Sequence, residues 1–192
     1  LAESSQLIRL LGAWVLQEGA RMAAKLSQSG RPLFVNVNLS PFQFDDESLA
    51  EQIIGAARDA GAPAEMIRLE ITESLLMSRG DRAVTTLDAV RAEGFKIAID
   101  DFGTGYSSLS RLYRLPVDIL KFDRFLTQAA ERHEGANAIL SALVGLARTL
   151  GMISVGEGVE TDDQARMLRG HGVDFSQGYF FGRPVPAAEA LA

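Results

Sequence analysis

The chain contains no cysteine. Disulfides, thiolate metal centres and a cysteine nucleophile are therefore excluded. It has only two histidines, His133 and His171, far apart and without acidic neighbours. A histidine-rich metal centre is equally unpromising, and both rings are expected on the solvated surface. Net positive charge is lacking too. With 19 Lys and Arg against 25 Asp and Glu, the formal charge is −6, so long-range attraction to a nucleic-acid polymer is not expected. No apolar run approaches the ~20 residues of a membrane span. The opening "LAESSQLIRLLGAWVL" has neither the basic start nor the small-residue cleavage site of a signal peptide. It begins in mid-helix pattern, as a piece of something longer would.

What is present is alternation. Helical periodicity over 4–29, with Leu7, Leu11, Trp14 and Val15 on one face and Trp14 expected in the core, leads to a strand at 32–40. Ser40-Pro41 then supplies an N-cap followed by proline at a first helical position. A helix is expected at 46–60, stopped by Gly61, then a strand at 67–73 and a helix at 80–93, closed by Gly94. A strand at 95–100 and a short helix at 106–114 follow. A strand at 117–123, a polar loop at 127–135 and a helix at 136–150 come next. That helix should pack Ile139, Leu140, Leu143, Val144 and Ala147 inward. A strand at 152–157 precedes a helix at 162–169, for which Thr161 and Gln164 form a capping box. The last strand is 173–177, with a tail helix after Pro186. Six strands separated by helices predict a parallel α/β fold. Periodicity alone does not separate a barrel from an open sheet.

The strand ends do more. Read in order, they offer Asn38, Glu70, Asp100, Lys121, Glu157 and Gln177. An open sheet needs polar groups only near its switch point, whereas a (β/α) barrel gathers its active site along the whole carboxyl rim. Six polar ends in six strands favour the barrel. Capping of the next helix explains many such residues one at a time. It does not explain Lys121, nor the adjacent pair Asp100-Asp101, where one cap would suffice. Acids crowded at one rim repel each other unless cations lie among them. Asn38, Glu70, Asp100 and Asp101 offer only oxygen, which suits Mg²⁺ or Mn²⁺. A carboxylate shared by two ions is a layout used for displacement at phosphorus.

Six segments in order, "NVNLS", "LEITES", "IAIDDFGTGYSSLSRL", "LPVDILKFD", "VGEGVET" and "SQGYFFGRPVP", resemble the EAL-domain family, the bacterial phosphodiesterases of cyclic di-GMP. The likeness covers essentially the whole chain. It implies a TIM-like barrel of which six of eight strands are in this chain, with residues 1–192 forming one N-terminally incomplete EAL-type domain. It further implies hydrolysis of cyclic di-GMP to linear pGpG with two Mg²⁺ or Mn²⁺ ions. Asn38, Glu70 and Asp100 match the family's metal ligands, and Asp101 matches the ligand of the second ion. Lys121 matches the lysine that holds the attacking water. Glu157, with Glu160 behind it, matches the acid of the "EGVE" strand end. Gln177 matches the glutamine near the metal site, and Glu73 the glutamate that pins the loop after the aspartates.

The resemblance also implies a homodimer through the loop after Asp101, a cytoplasmic domain, and a parent protein with further sensory or signalling domains, itself potentially membrane-anchored. Departures from the family pattern are Gly156 for the usual alanine and Phe122 and Phe125 for isoleucine and serine. In the family a Glu-Ala-Leu signature, whose glutamate is a metal ligand, precedes the part that this sequence resembles; the signature is expected upstream in the parent protein, and Glu189 in a tail helix does not replace it. An alternative is a degenerate EAL domain that serves as a cyclic di-GMP receptor or a protein-interaction module. A Schiff-base role for Lys121 is disfavoured, because surrounding acids raise a lysine pKa rather than lower it.

Overall fold

This computed structural model of the protein describes residues 7–29, 33–103 and 112–190. The described chain forms two compact units. The first comprises residues 1–98 and 114–116, the second residues 99–113 and 117–192. One six-stranded sheet runs in chain order, and its third strand begins in the first unit and ends in the second.

In the first unit, α1 (Leu7–Ser27) buries Gly12, Leu16, Ala20, Ala23 and Leu26, a stripe at helical spacing. Small residues on that stripe let the helix lie close to its neighbours. A side chain at Gly12 would overlap the Gln43 amide, and one at Gly19 would come 2.6 Å from Val37. The expected placing of Trp14 in the core is wrong: it is 57% exposed, and Leu7, Leu10 and Leu11 are exposed with it. Both faces of α1 are apolar at this end, so periodicity could not say which one is covered.

Strand β1 (Val35–Asn38) leads into a 3-10 turn, Pro41–Asp45, with the expected cap at Ser40, completed by Gln43 as a capping box. Helix α2 (Leu49–Ala60) ends where Gly61 takes a left-handed conformation, φ 67°, which glycine adopts without penalty. Strand β2 (Ile67–Thr72) pairs in parallel with β1, setting Asn38 opposite Glu70. Helix α3 (Glu73–Ala92) starts about two turns before the expected residue 80, because Gly80 (φ 42°, ψ −124°) interrupts the helical backbone and hid the continuity. Strand β3 (Lys96–Phe102) follows, with Ile97, Ala98 and Ile99 all buried.

In the second unit, β4 (Ile119–Phe122) is buried at every position. The polar stretch expected as a loop is helix α4 (Arg124–Arg132), capped by Asp123, and α5 (Glu134–Thr149) follows after His133. Leu140, Val144 and Ala147 are buried as expected, but Ile139 is exposed. Strand β5 (Ile153–Gly156) pairs in parallel with β4 and with β6 (Phe175–Ser176). Between them α6 (Asp162–His171) carries the expected Thr161/Gln164 capping box, and α7 (Ala187–Ala190) is the tail helix. The base of β5 is tied to β6 by Ser154, whose amide and hydroxyl donate to Asp174 Oδ2 at 2.8 and 2.7 Å. No helix among the described residues is long and apolar enough to cross a membrane. The short helix expected at 106–114 lies almost wholly outside the described residues.

Candidate metal centre and active site

The second unit brings four of the expected residues together. Asp100 ends the regular part of β3, Lys121 is the third residue of β4, and Glu157 follows β5 directly. Their strands place them at one carboxyl rim. The Glu157 amide donates to Phe122 O at 3.0 Å, which extends the β4–β5 ladder and fixes the start of the Glu157 loop. Lys121 is 4% exposed. Its Nζ lies 2.8 Å from Asp100 Oδ1 and 2.7 Å from Glu157 Oε1. Burying an ammonium alone would be expensive; two carboxylates at hydrogen-bond distance offset that cost.

Asp101 completes the group. Asp100, Asp101 and Glu157 each offer one carboxylate oxygen, and these oxygens lie within 4.8 Å of one another. Asp101 has a left-handed backbone, φ 53°, and among the described residues it is the one non-glycine with positive φ. The conformation turns its carboxylate out of the strand's alternation, so both aspartates reach the same place. Its carboxyl pKa is raised, first by desolvation of its position and then by the negative charges of Asp100 and Asp123, with Lys121 opposing. Three acids at this spacing carry more negative charge than one lysine balances. Oxygen donors alone, at close quarters and with surplus negative charge, fit a hard divalent cation such as Mg²⁺ or Mn²⁺.

Asn38 and Glu70 belong to the first unit, where the β1–β2 register sets them side by side and the Leu39 amide donates to Glu70 O at 2.9 Å. Glu70 is buried. Glu73 is also buried and opens α3, where a helix N-terminus favours a carboxylate. The loop it is expected to pin, "FGTGYSS" after the aspartates, lies outside the described residues from residue 104 on.

Two expected residues take different surroundings. Gln177 is laced to β5 by its backbone: its amide donates to Gly156 O at 2.8 Å and its carbonyl accepts from Val159 N at 3.1 Å, while its side chain is exposed. Glu160 pairs with Arg124 at 4.0 Å on the surface. Asp123 was missed. It shares the face of Lys121 two residues on, acts electrostatically on Asp101 and caps α4 through Phe125 N at 2.7 Å. Parity along "KFD" was the signal that could have found it. Of the departures, Phe122 is buried in β4 and Phe125 is exposed. Gly156 has a definite cause: a methyl group there would come 2.6 Å from Leu168 Cδ1.

The EAL domain family matches residues 1–184, and the chain belongs to that family. Among curated relatives, the bifunctional diguanylate cyclase/cyclic di-GMP phosphodiesterase MucR of Pseudomonas aeruginosa is 43% identical over 195 residues, covering 100% of this chain and 28% of the relative. Two further relatives are each covered over 23% of their length, so the chain spans about a quarter of such proteins. Among solved structures, the MucR phosphodiesterase in complex with c-di-GMP matches 98% of this chain and 77% of its own, with 39% identity and a TM-score of 0.91. A manganese/cy-diGMP complex of Klebsiella pneumoniae BlrP1 matches 93% of this chain and 45% of its own, with 29% identity and a TM-score of 0.84. The parallel six-strand sheet with its helices is thus a partial TIM-like barrel.

Proposed function

We propose that this chain is the catalytic part of a cyclic di-GMP phosphodiesterase, opening the ring to linear pGpG with two Mg²⁺ or Mn²⁺ ions. The observation that carries the reading is the Asp100–Asp101–Glu157 carboxylate group around buried Lys121. It stands in a chain that belongs to the EAL family along its length and is similar to a domain solved with c-di-GMP.

We assign Asn38, Glu70, Asp100 and Asp101 as the residues that would hold the ions, with Asp123 beside Asp101. When bound, such ions stabilise charge on phosphoryl oxygens and lower the pKa of water. The chain's own residues do the rest. Asp100 and Glu157 fix the Lys121 ammonium in one position, so that it orients a water for attack on phosphorus, in line with the departing ribose oxygen. The phosphorus–oxygen bond to that ribose breaks, the water oxygen stays on phosphorus, and the ribose oxygen leaves as a hydroxyl. Glu157 takes up the proton lost by the water, the departing ribose oxygen gains its proton from solvent, and Gln177 and Glu160 support the rim.

On this reading the domain works in the cytoplasm, within a longer protein carrying further domains, and pairs with a second copy through the loop after Asp101. The test is chromatographic conversion of cyclic di-GMP to pGpG. In the longer parent protein we expect turnover with Mg²⁺ or Mn²⁺, inhibition by Ca²⁺ with its larger, looser shell, and loss of about a hundredfold or more in Asp100→Asn or Asp101→Asn. Near-full activity of either variant with Mg²⁺ would overturn the assignment. Binding of the intact dinucleotide without turnover would instead identify a receptor.

A further inference from the structure

The loop that carries Glu157 is held from behind by a polar link through Gln164 and Glu131, two residues outside the six segments quoted above. Gln164, on α6, is 3% exposed. Its Oε1 accepts from the amide of Glu160 at 2.7 Å and, less closely, from that of Thr161 at 3.3 Å. Its Nε2 donates to Glu131 Oε2 on α4 at 2.8 Å. Both ends of one buried amide are therefore satisfied, one by the loop and one by a different helix. The same helix α4 touches the loop again at its start. Gly158 has φ 66°, and a side chain there would overlap Arg124. Helix α4 in turn follows β4, whose Lys121 meets Glu157. The loop 157–161 thus closes a ring: Lys121 to Glu157 in front, and Gln164 to Glu131 behind.

Capping alone asks less than this. A capping box needs only the glutamine oxygen returned to the N-cap amide. The donor end is the addition: a charge-assisted hydrogen bond from the buried amide to the carboxylate of exposed Glu131, stronger than a neutral one. It commits the loop to α4, the helix that Asp123 caps and that is continuous with the lysine strand.

We propose that Gln164, through Glu131, is a positioning residue that keeps the Glu157 carboxylate seated on Lys121 and close to Asp100 and Asp101. The role of Glu157 in the metal centre rests on the function proposed above; the mechanical link does not.

The experiment uses the longer parent protein and reverses the polarity of the link. Gln164→Glu keeps an acceptor for the Glu160 and Thr161 amides but sets two carboxylates against each other. Adding Glu131→Gln restores a donor on the opposite side. Two readouts that do not depend on turnover are followed: native-state exchange of the Glu160 and Thr161 amide hydrogens, and Mn²⁺ affinity by calorimetry. We expect Gln164→Glu to speed exchange at both amides and to weaken Mn²⁺ binding about tenfold. The double variant should recover both, and Glu131→Gln alone, which still accepts from Gln164, should change little. Turnover of cyclic di-GMP should fall and recover in parallel through kcat, with KM nearly constant. Unchanged exchange in Gln164→Glu, faster exchange with unaltered Mn²⁺ affinity, or no recovery in the double variant would overturn the proposal. An unsubstituted parent protein that binds Mn²⁺ as expected yet turns over no cyclic di-GMP would count against the proposed reaction and leave the positioning role supported.

Discussion

Lys121 joins more of the site than any other residue. Its ammonium touches carboxylates from β3 and from the loop after β5, so its removal leaves acids facing each other in a buried place. In Lys121→Ala we expect turnover to fall by about a hundredfold or more while cyclic di-GMP binding stays close to that of the parent, the pattern of an interaction felt mainly in the transition state. Steady-state kinetics with an independent binding measurement checks this, and a borohydride-trapped adduct on Lys121 would show imine chemistry instead. A second residue-scale test concerns Ser154 and Asp174. Desolvation alone would raise the Asp174 carboxyl; the Ser154 hydroxyl and amide, with the charge of Arg148, outweigh it and the pKa is lowered from 3.8. A depressed folded-state pKa adds stability that is present above the unfolded value and is lost as pH falls through the folded one. Ser154→Ala should therefore cost about 1 kcal/mol at neutral pH, and the gap to the parent should close as the pH drops below 3.8. A constant gap in urea titrations down the acid limb would refute this.

At the scale of elements, the fit of α6 on β5 turns on one missing methyl group. Leu168 is fully buried, with Cδ1 2.6 Å and Cδ2 3.0 Å from where a Gly156 side chain would begin. Gly156→Ala should cost about 1–3 kcal/mol through overpacking, and much less in a Leu168→Val background. Equal costs in the two backgrounds, by denaturant unfolding, would mean that Leu168 is not the obstacle.

Much of this architecture was legible in the sequence. All six strands were placed within a few residues, because buried strands carry dense apolar runs bounded by Gly, Pro and acid. The N-cap at Ser40 and the capping box of Thr161 with Gln164 were legible too, since caps are local chemistry, though the return bond of Gln43 to Ser40 was not read. Helix α4 was not. "RFLTQAAER" buries only Thr127 and Ala130, so its apolar signal is thin and its charged exterior reads as loop. Trp14 misled for the opposite reason: α1 is apolar on more than one face, and only tertiary structure says which is covered. In the site, the acids and Lys121 announced themselves by residue type at strand ends. The Gln164–Glu131 link is a pairing 33 residues apart that no local pattern contains.

For the molecule as a whole, the sheet order leaves β1 and β6 each with a single strand neighbour among the described residues. The first unit exposes Leu7, Leu10, Leu11 and Trp14; the second exposes Phe175, Tyr179, Phe180 and Phe181. Apolar clusters of this kind mark association surfaces, and unpaired strand edges add to the tendency. The 192-residue chain should self-associate as its concentration rises, and Leu10→Glu with Trp14→Glu should reduce this without lowering the melting temperature. Sedimentation of a strictly monomeric parent over a wide concentration range would contradict this. Mn²⁺ should raise the melting temperature, and a chelator should reverse the rise, because a ligand that binds only the folded state stabilises it. The left-handed Asp101 carries one further consequence, for anyone who would make this protein hardier. Glycine at that position would relax the backbone and raise thermal tolerance, while removing a carboxylate from the group it serves. A screen that rewards heat resistance alone will therefore collect Asp101→Gly and discard activity, and the two selections will diverge first at this residue.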